Sequence, residues 1–400
     1  MATVVLPGQR TTPRPRPRPP APPAFPRPTR PRPQPPPPPP EPAHVDVQLQ
    51  EVRCGGQVLR PGKTVELVDN TFVRIGSIVE RHWPLAAAGD SAAETLLCGP
   101  RFKRTRCFQG LLPAKLNEVA MFAAADSVPV RQVRRLRGLV LTNAAFPAHN
   151  DVRGLTVLRA ENEGRLVCRW LAAIPQAATA TGDQVMYAGS LRRLREDEAD
   201  ERFRASDRQL RRDWRGEGTR VRPCRRSSAG ASVPYTFGDA FCGGGGMACG
   251  ARAAGLAVRW GFDHDRHACH TFGSNFPEAE VFQTPVNYFV TAFAGAESLQ
   301  VDVLHLSPPC QPHSVAHTVA GKDDETNEAA GLCVSECLAA VRPRYGTFEQ
   351  AFGLVYRAHW FRTAIRGFTD VGFSVRWDVL HCVQYGVPQT RRRLFMVAAW

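Results

Sequence analysis

The sequence predicts an α/β protein: a doubly wound sheet over residues 231–400, preceded by a smaller, mainly β domain and a Pro/Arg-rich tail. Three observations carry this. Past Ser232, apolar strand-like runs alternate with stretches of helical spacing, the pattern of a parallel sheet with crossover helices. From Val45 to about Ala180, short runs of alternating apolar and polar residues are separated by turn pairs, which predicts antiparallel strands. The first 45 residues hold 19 of the 35 prolines and seven Arg against one Glu.

A segment so poor in large apolar side chains cannot offset the entropy of ordering itself, so residues 1–45 read as a disordered, polyproline-II-like tail. In the domain predicted over 46–190, runs such as Val65-Glu66-Leu67-Val68 and Phe72-Val73-Arg74-Ile75 flank the Asp69-Asn70 turn. Residues 191–226 then hold thirteen Arg and eight acids with little apolar periodicity, so 191–230 reads as a charged linker. In the last domain the predicted strands are Tyr235–Phe241, Ala257–Asp263, Val301–Leu306, Gly346–Glu349, Phe373–Cys382 and Leu394–Trp400. Helices are expected over Met247–Gly255, Arg266–Asn275, Ala329–Val341 and Gly353–Asp370.

Composition narrows the function classes. No apolar run approaches the length of a membrane span and no charged-then-apolar leader opens the chain, so a soluble, intracellular protein with no membrane partner is expected. The 12 Cys include no CxxC pair, which reads as free thiols, one of them available as a nucleophile. His264, His267, Cys269 and His270 are too irregularly spaced to predict a metal site. The net charge of +14 favours a polyanionic partner.

In a doubly wound sheet, ligands bind beyond the carboxyl ends of the strands. The first strand ends in Asp239-Ala240-Phe241-Cys242-Gly243-Gly244-Gly245-Gly246, a glycine turn at a helix N-terminus. The second ends at Asp263, placed to accept two ribose hydroxyls, with His264 able to stack on a purine; the alternative is that Asp263 and Asp265 cap the next helix. Together these favour a nucleoside-type cofactor. The fourth leads into Ser307-Pro308-Pro309-Cys310-Gln311, where two prolines stiffen the backbone around a thiol.

This Pro-Pro-Cys-Gln loop after a Phe-Cys-Gly-Gly-Gly-Gly turn resembles the cytosine-5 DNA methyltransferases, whose sheet is Rossmann-like and whose cofactor is S-adenosyl-L-methionine. Two further motifs follow in family order. Glu349-Gln350-Ala351 stands where the family has Glu-Asn-Val, and Gln389-Thr390-Arg391-Arg392-Arg393 carries its Gln-x-Arg-x-Arg signature. The Glu-Gln variant is similar to a fungal branch associated with silencing repeated DNA, which implies a nuclear protein. The resemblance covers about Tyr235 to Trp400. It implies Cys310 as the nucleophile on C6 of cytosine, Arg391 and Arg393 as the positive environment that ionises its thiol, Glu349 and Arg393 as the groups that stabilise charge on the ring, and Phe241, Gly243, Gly245, Asp263, His264 and Pro309 around the cofactor. Gln311, Gln389, Arg391 and Arg393 would contact DNA, whose target cytosine must be flipped from the duplex.

Departures accompany the resemblance. No acid follows the third strand at Val281-Phe282-Gln283-Thr284, and the family's target-recognition region and closing helix would lie past Trp400, so a truncated family member is expected. The phrase Leu59-Arg60-Pro61-Gly62-Lys63-Thr64-Val65-Glu66-Leu67 with Val73-Arg74-Ile75-Gly76-Ser77-Ile78 resembles the opening of a bromo-adjacent homology (BAH) domain, which implies a chromatin or histone partner. Two other readings compete: a non-catalytic chromatin protein on a decayed methyltransferase fold, opposed by the intact Cys310, Glu349 and Gln389-x-Arg391-x-Arg393, and an RNA cytosine methyltransferase.

Overall fold

The computed structural model describes residues 44–83, 93–175, 185–216, 234–309 and 333–400. The expected tail as far as residue 43, most of the second half of the expected linker, and Cys310 with Gln311 lie outside the described residues, while Val45, the tail's expected last residue, opens the first strand. All described residues belong to one unit, His44–Trp400. No helix among them is long and apolar enough to cross a membrane.

The first domain is built from β1 (Val45–Leu49), β2 (Val52–Cys54), β3 (Gln57–Leu59), β4 (Thr64–Leu67), β5 (Phe72–Arg74), β6 (Ser77–His82), β7 (Ala93–Arg104), β8 (Glu118–Pro129), β9 (Val133–Arg137), β10 (Leu139–Leu141), helix α1 (Val157–Glu163) and β11 (Leu166–Ala173). Most neighbours pair antiparallel, while β11 runs parallel to β8 and β10. Alternation sends Val65, Val73, Ile78 and Leu97 into one apolar cluster. Two carboxylates are also buried in this domain. Glu66 meets Arg135 at 2.9 Å and Arg137 at 2.6 Å, and Glu118 meets Arg169 at 2.7 Å. Each is paired, as a buried charge must be.

The charged segment expected as a connector from 191 is structured as far as Arg215. Gly189–Arg193 forms β12, and Asp207–Arg215 forms helix α2, N-capped by the Ser206 hydroxyl. The reason is a division of labour that average composition hides. Charged side chains pair locally, as Arg192 does with Glu198 at 2.5 Å, while Leu191, Leu194 and Trp214 do the packing.

The last domain contributes β13 (Thr236–Ala240), α3 (Gly246–Ala253), β14 (Ala257–Asp263), α4 (Arg266–Asn275), β15 (Glu280–Gln283), α5 (Val286–Ala292), β16 (Val303–Leu306), α6 (Val334–Val341), β17 (Tyr345–Ala351), α7 (Ala358–Asp370), β18 (Ser374–His381) and β19 (Arg392–Ala399). The strand order is β15-β14-β13-β16-β17-β19-β18, parallel except for β19, which runs antiparallel between β17 and β18. Both faces carry helices. In the register row Gly261, Asp239, His305, Thr347, the Gly261 position faces Phe272 of α4; Gly346, one residue off that row, faces Leu338 of α6 and Phe368 of α7. The expected single helix over Gly353–Asp370 is divided into a 3-10 turn at Phe352–Tyr356 and α7. Helix α5 was not anticipated.

Strand β12 joins the two domains into one continuous sheet. It pairs antiparallel with β11 on one side (Trp170↔Arg193) and with β18 on the other (Gly189↔Trp377, Leu191↔Val375). Only glycine fits at 189, since a Cβ there would lie 2.5 Å from the buried Trp377 ring. Helix α2 adds a second tie: Trp214 stacks on Trp400 with ring centroids 5.4 Å apart, and its Nε1 donates to the Pro343 carbonyl at 2.8 Å. A third runs from Thr369 Oγ1 on α7 to the Leu111 carbonyl at 2.8 Å.

Candidate active site

The strand order changes direction between β13 and β16, where connections leave on opposite sides and open a crevice at the carboxyl ends. The glycine turn leaves from one and the Pro-Pro loop from the other.

The turn works through bare backbone. Phe241 and Gly243 have φ of 59° and 52°, and a Cβ on Gly243 or Gly246 would meet nothing within 4 Å. This leaves an open concavity at the start of α3. Gly245, at φ 91°, is different, because a Cβ there would strike Phe276 at 2.5 Å. Its glycine lets the turn pack on α4. Just behind the turn, Asp239 is fully buried, and burial raises its carboxyl to about 8 against the pull of the Ala248 N–H at the first turn of α3.

Asp263 ties the end of β14 to this turn. Its Oδ2 accepts from the Gly243 N–H at 2.9 Å and its Oδ1 from the Asp265 N–H at 3.0 Å. Each oxygen keeps a lone pair for a diol. The helix cap is Asp265, whose Oδ1 accepts from the Ala268 N–H at 2.8 Å. His264 is exposed beside Asp263, its Nδ1 3.3 Å from Oδ1. Phe241 packs on Phe262 with centroids 5.3 Å apart. An open backbone cradle beside a carboxylate and an exposed ring fits a nucleoside carrying a vicinal diol.

The Pro-Pro loop is pinned from both sides. Ser307 Oγ donates to the Phe241 carbonyl at 3.4 Å, and Gln350 Nε2 donates to the Pro308 carbonyl at 3.3 Å. Gln350 is buried, and its Oε1 accepts from the Ala351 N–H at 2.7 Å. Both ends of its amide are therefore committed to holding backbone. Pro309 is half-buried at the last described position of the loop. Gln350 drew attention in the sequence only as a variant residue; its clamp role depends on β16 and β17 being neighbours.

Across the crevice, β17 and β19 pair in the register Ala351↔Arg393 and Glu349↔Phe395, which sets Glu349 diagonal to Arg393. Their side chains form an ion pair at 2.8 Å. Burial pushes the Glu349 carboxyl above the usual carboxylate range, opposed by Arg393 and then Arg391. A carboxyl poised in this way can share a proton with a ring nitrogen. Arg391 and Gln389 are exposed just before β19. The structure thus brings Phe241, Gly243, Asp263 and His264 to one side of the crevice, and Glu349, Arg393 and Arg391 to the other.

Comparison with known proteins gives the same boundaries. Residues 235–399 match the family described as C-5 cytosine-specific DNA methylase. Type II methyltransferase M.AquIA of Picosynechococcus sp. is 28% identical over 177 residues, 39% of this chain and 68% of that protein. Type II methyltransferase M.XorII of Xanthomonas oryzae pv. oryzae is 31% identical over 169 residues, 40% of this chain and 39% of that protein. The match to type II methyltransferase M.MthTI of Methanothermobacter thermautotrophicus covers 46% of that protein, so the chain spans less than half of several curated relatives. The crystal structure of S. pombe Dnmt2 methyltransferase is 16% identical, with 42% of this chain and 50% of that chain covered at a TM-score of 0.33. Methyltransferases of this family take their methyl group from S-adenosyl-L-methionine.

Proposed function

We propose that this chain, whose residues 235–399 match the C-5 cytosine-specific DNA methylase family, transfers a methyl group from S-adenosyl-L-methionine to C5 of cytosine in DNA through a covalent bond to Cys310. The observation that carries this reading is the half-buried Glu349–Arg393 pair on β17 and β19, next in the chain to Gln350, which holds the loop at Pro308. Addition of the Cys310 thiolate to C6 breaks the ring's aromaticity and places electron density on C5. Glu349 shares its proton with N3 as that charge develops, and Arg393 hydrogen-bonds O2. Arg391 and Arg393 favour the thiolate over the thiol. Once the methyl group stands on C5, loss of the C5 proton lets the C6–S bond break by β-elimination and frees the cysteine.

Phe241, Gly243, Asp263 and His264 would hold the cofactor: the glycine turn through its N–H groups, Asp263 through the ribose diol, His264 against the purine. Once bound, S-adenosyl-L-methionine supplies an electrophilic methyl group on a sulfonium. Gln311, Gln389 and Arg391 are assigned to DNA. The Glu349-Gln350 variant supports the fungal repeat-silencing branch, and with that a nuclear role in gene silencing. The strands around Thr64–Ile78 support a BAH-like domain with a chromatin or histone partner.

The test is to incubate the chain with S-adenosyl-L-methionine and DNA containing 5-fluorocytosine, whose C5 fluorine blocks release. A denaturation-resistant adduct is expected on the wild-type chain and none on Cys310→Ser. An adduct that survives this substitution would overturn the assignment.

A further inference from the structure

Next to the catalytic pair, a ladder of rings and a guanidinium runs from the last domain into the first. Arg392, one residue from Arg393, lies over the Phe352 ring at 4.0 Å. Phe352 meets Tyr356 edge to face with centroids 5.3 Å apart, and Tyr356 meets Tyr187 in the same way at 6.2 Å. The two tyrosine hydroxyls are hydrogen-bonded at 3.0 Å. Tyr187, Tyr356 and Arg392 are all exposed. Tyr187 stands two residues before β12, so the strand that fuses the sheets also delivers this ring to the crevice.

The segments that carry the ladder are basic, with Glu349, the partner of Arg393, just outside them. Residues 185–195, 350–369 and 379–400, which supply all four ladder residues, contain no Asp or Glu. Arg357 follows Tyr356 and Arg391 precedes Arg392; both are exposed, and no described carboxylate pairs with Arg357, Arg391 or Arg392. A guanidinium stacked on a ring keeps its N–H edge free for a phosphate, and a tyrosine hydroxyl can turn from its neighbour to donate to one. Aromatic faces beside such cations suit nucleic acid better than an acidic peptide, since sugars and bases pack on rings.

Resting on the proposed function, we infer that Arg392, Arg357 and the Tyr187–Tyr356 pair form a surface that grips the sugar-phosphate backbone of the DNA strand flanking the flipped cytosine, with Tyr187 as the first domain's contribution. This gives the first domain a part in holding the substrate in addition to its packing against the sheet.

The experiment measures affinity of the full chain for a short labelled duplex by fluorescence anisotropy across a salt series. Arg392→Gln is expected to weaken binding and to lower the slope of log Kd against log salt by about one. Tyr187→Phe, which keeps the ring and removes one hydroxyl, is expected to weaken binding roughly three- to tenfold with the melting temperature unchanged. Arg159→Gln, an equal change of charge on α1, should leave both affinity and slope unaltered. If Arg159→Gln matches Arg392→Gln, or Tyr187→Phe binds like wild type, the surface does not exist. Failure of the wild-type chain to bind duplex, or losses on RNA but not DNA, would also overturn it. Calorimetry with S-adenosyl-L-methionine and the 5-fluorocytosine adduct report separately on the methyltransferase reading.

Discussion

At the scale of single residues, the site depends on side chains that hold backbone. Asp263 spends one lone pair of each oxygen on the Gly243 and Asp265 N–H groups, and Gln350 spends its whole amide on Pro308 and Ala351. Such contacts fix where the reacting groups stand, and an ångström of misplacement can cost about a hundredfold in rate. Gln350→Ala is therefore expected to slow adduct formation on 5-fluorocytosine DNA by roughly ten- to a hundredfold while S-adenosyl-L-methionine affinity is retained. An unchanged adduct rate would show that the Pro-Pro stiffness alone holds the thiol. The residue type at 350 was legible from the sequence; its burial and its partner were not, because both come from a strand neighbour 42 residues away.

At the scale of elements, β12 decides how the domains communicate. It has unsatisfied backbone groups on both edges until β11 and β18 supply them, so each domain completes the other's sheet. Gly189→Val is expected to destabilise the chain by about 1–3 kcal/mol, since the added side chain must displace the Trp377 ring. Urea denaturation checks this, and a single transition in the wild type that separates into two in the variant would mark β12 as the coupling element. A wild type that already unfolds in two steps would deny the coupling. The predicted strands of the last domain were found close to their expected bounds, with β14 at Ala257–Asp263 as expected, because Val, Phe and Trp runs end at Gly, Pro or Asp signals. Strand β12 escaped because its apolar residues are diluted by Arg192 and Arg193.

At the scale of the whole molecule, the central sheet carries two buried titratable groups in one register row, Asp239 on β13 and His305 on β16. Burial lowers the His305 imidazole to about 4, and its Nδ1 lies 2.8 Å from Thr347 Oγ1. Asp239, raised to about 8, holds its proton in the folded chain after the unfolded chain has lost it, so its contribution to stability falls as pH rises from the usual carboxylate range toward 8. His305 works the other way: the unfolded imidazole takes up a proton that the folded one refuses, so its contribution rises from pH 4 to about 6.5 and is then flat. The two oppose each other below about pH 6.5, and above it only the Asp239 loss remains. Asp239→Asn is expected to remove a decline of up to about 1.4 kcal/mol per pH unit between pH 6.5 and 8, read from urea unfolding at a series of pH values. Identical slopes in both proteins would mean that Asp239 does not titrate in this window.

The sequence by itself determined the strand-helix alternation of the last domain, the order of its motifs and the chemical identity of Asp263, Glu349, Arg391 and Arg393, since these are properties of local pattern and residue type. Tertiary structure alone decided the diagonal of Glu349 and Arg393, the clamp from Gln350 to Pro308, the fusion of two sheets through β12 and the meeting of Tyr187 with Tyr356. Each of these joins residues that are distant in the chain, and register between non-adjacent strands is set by packing and backbone pairing that no local stretch of sequence encodes.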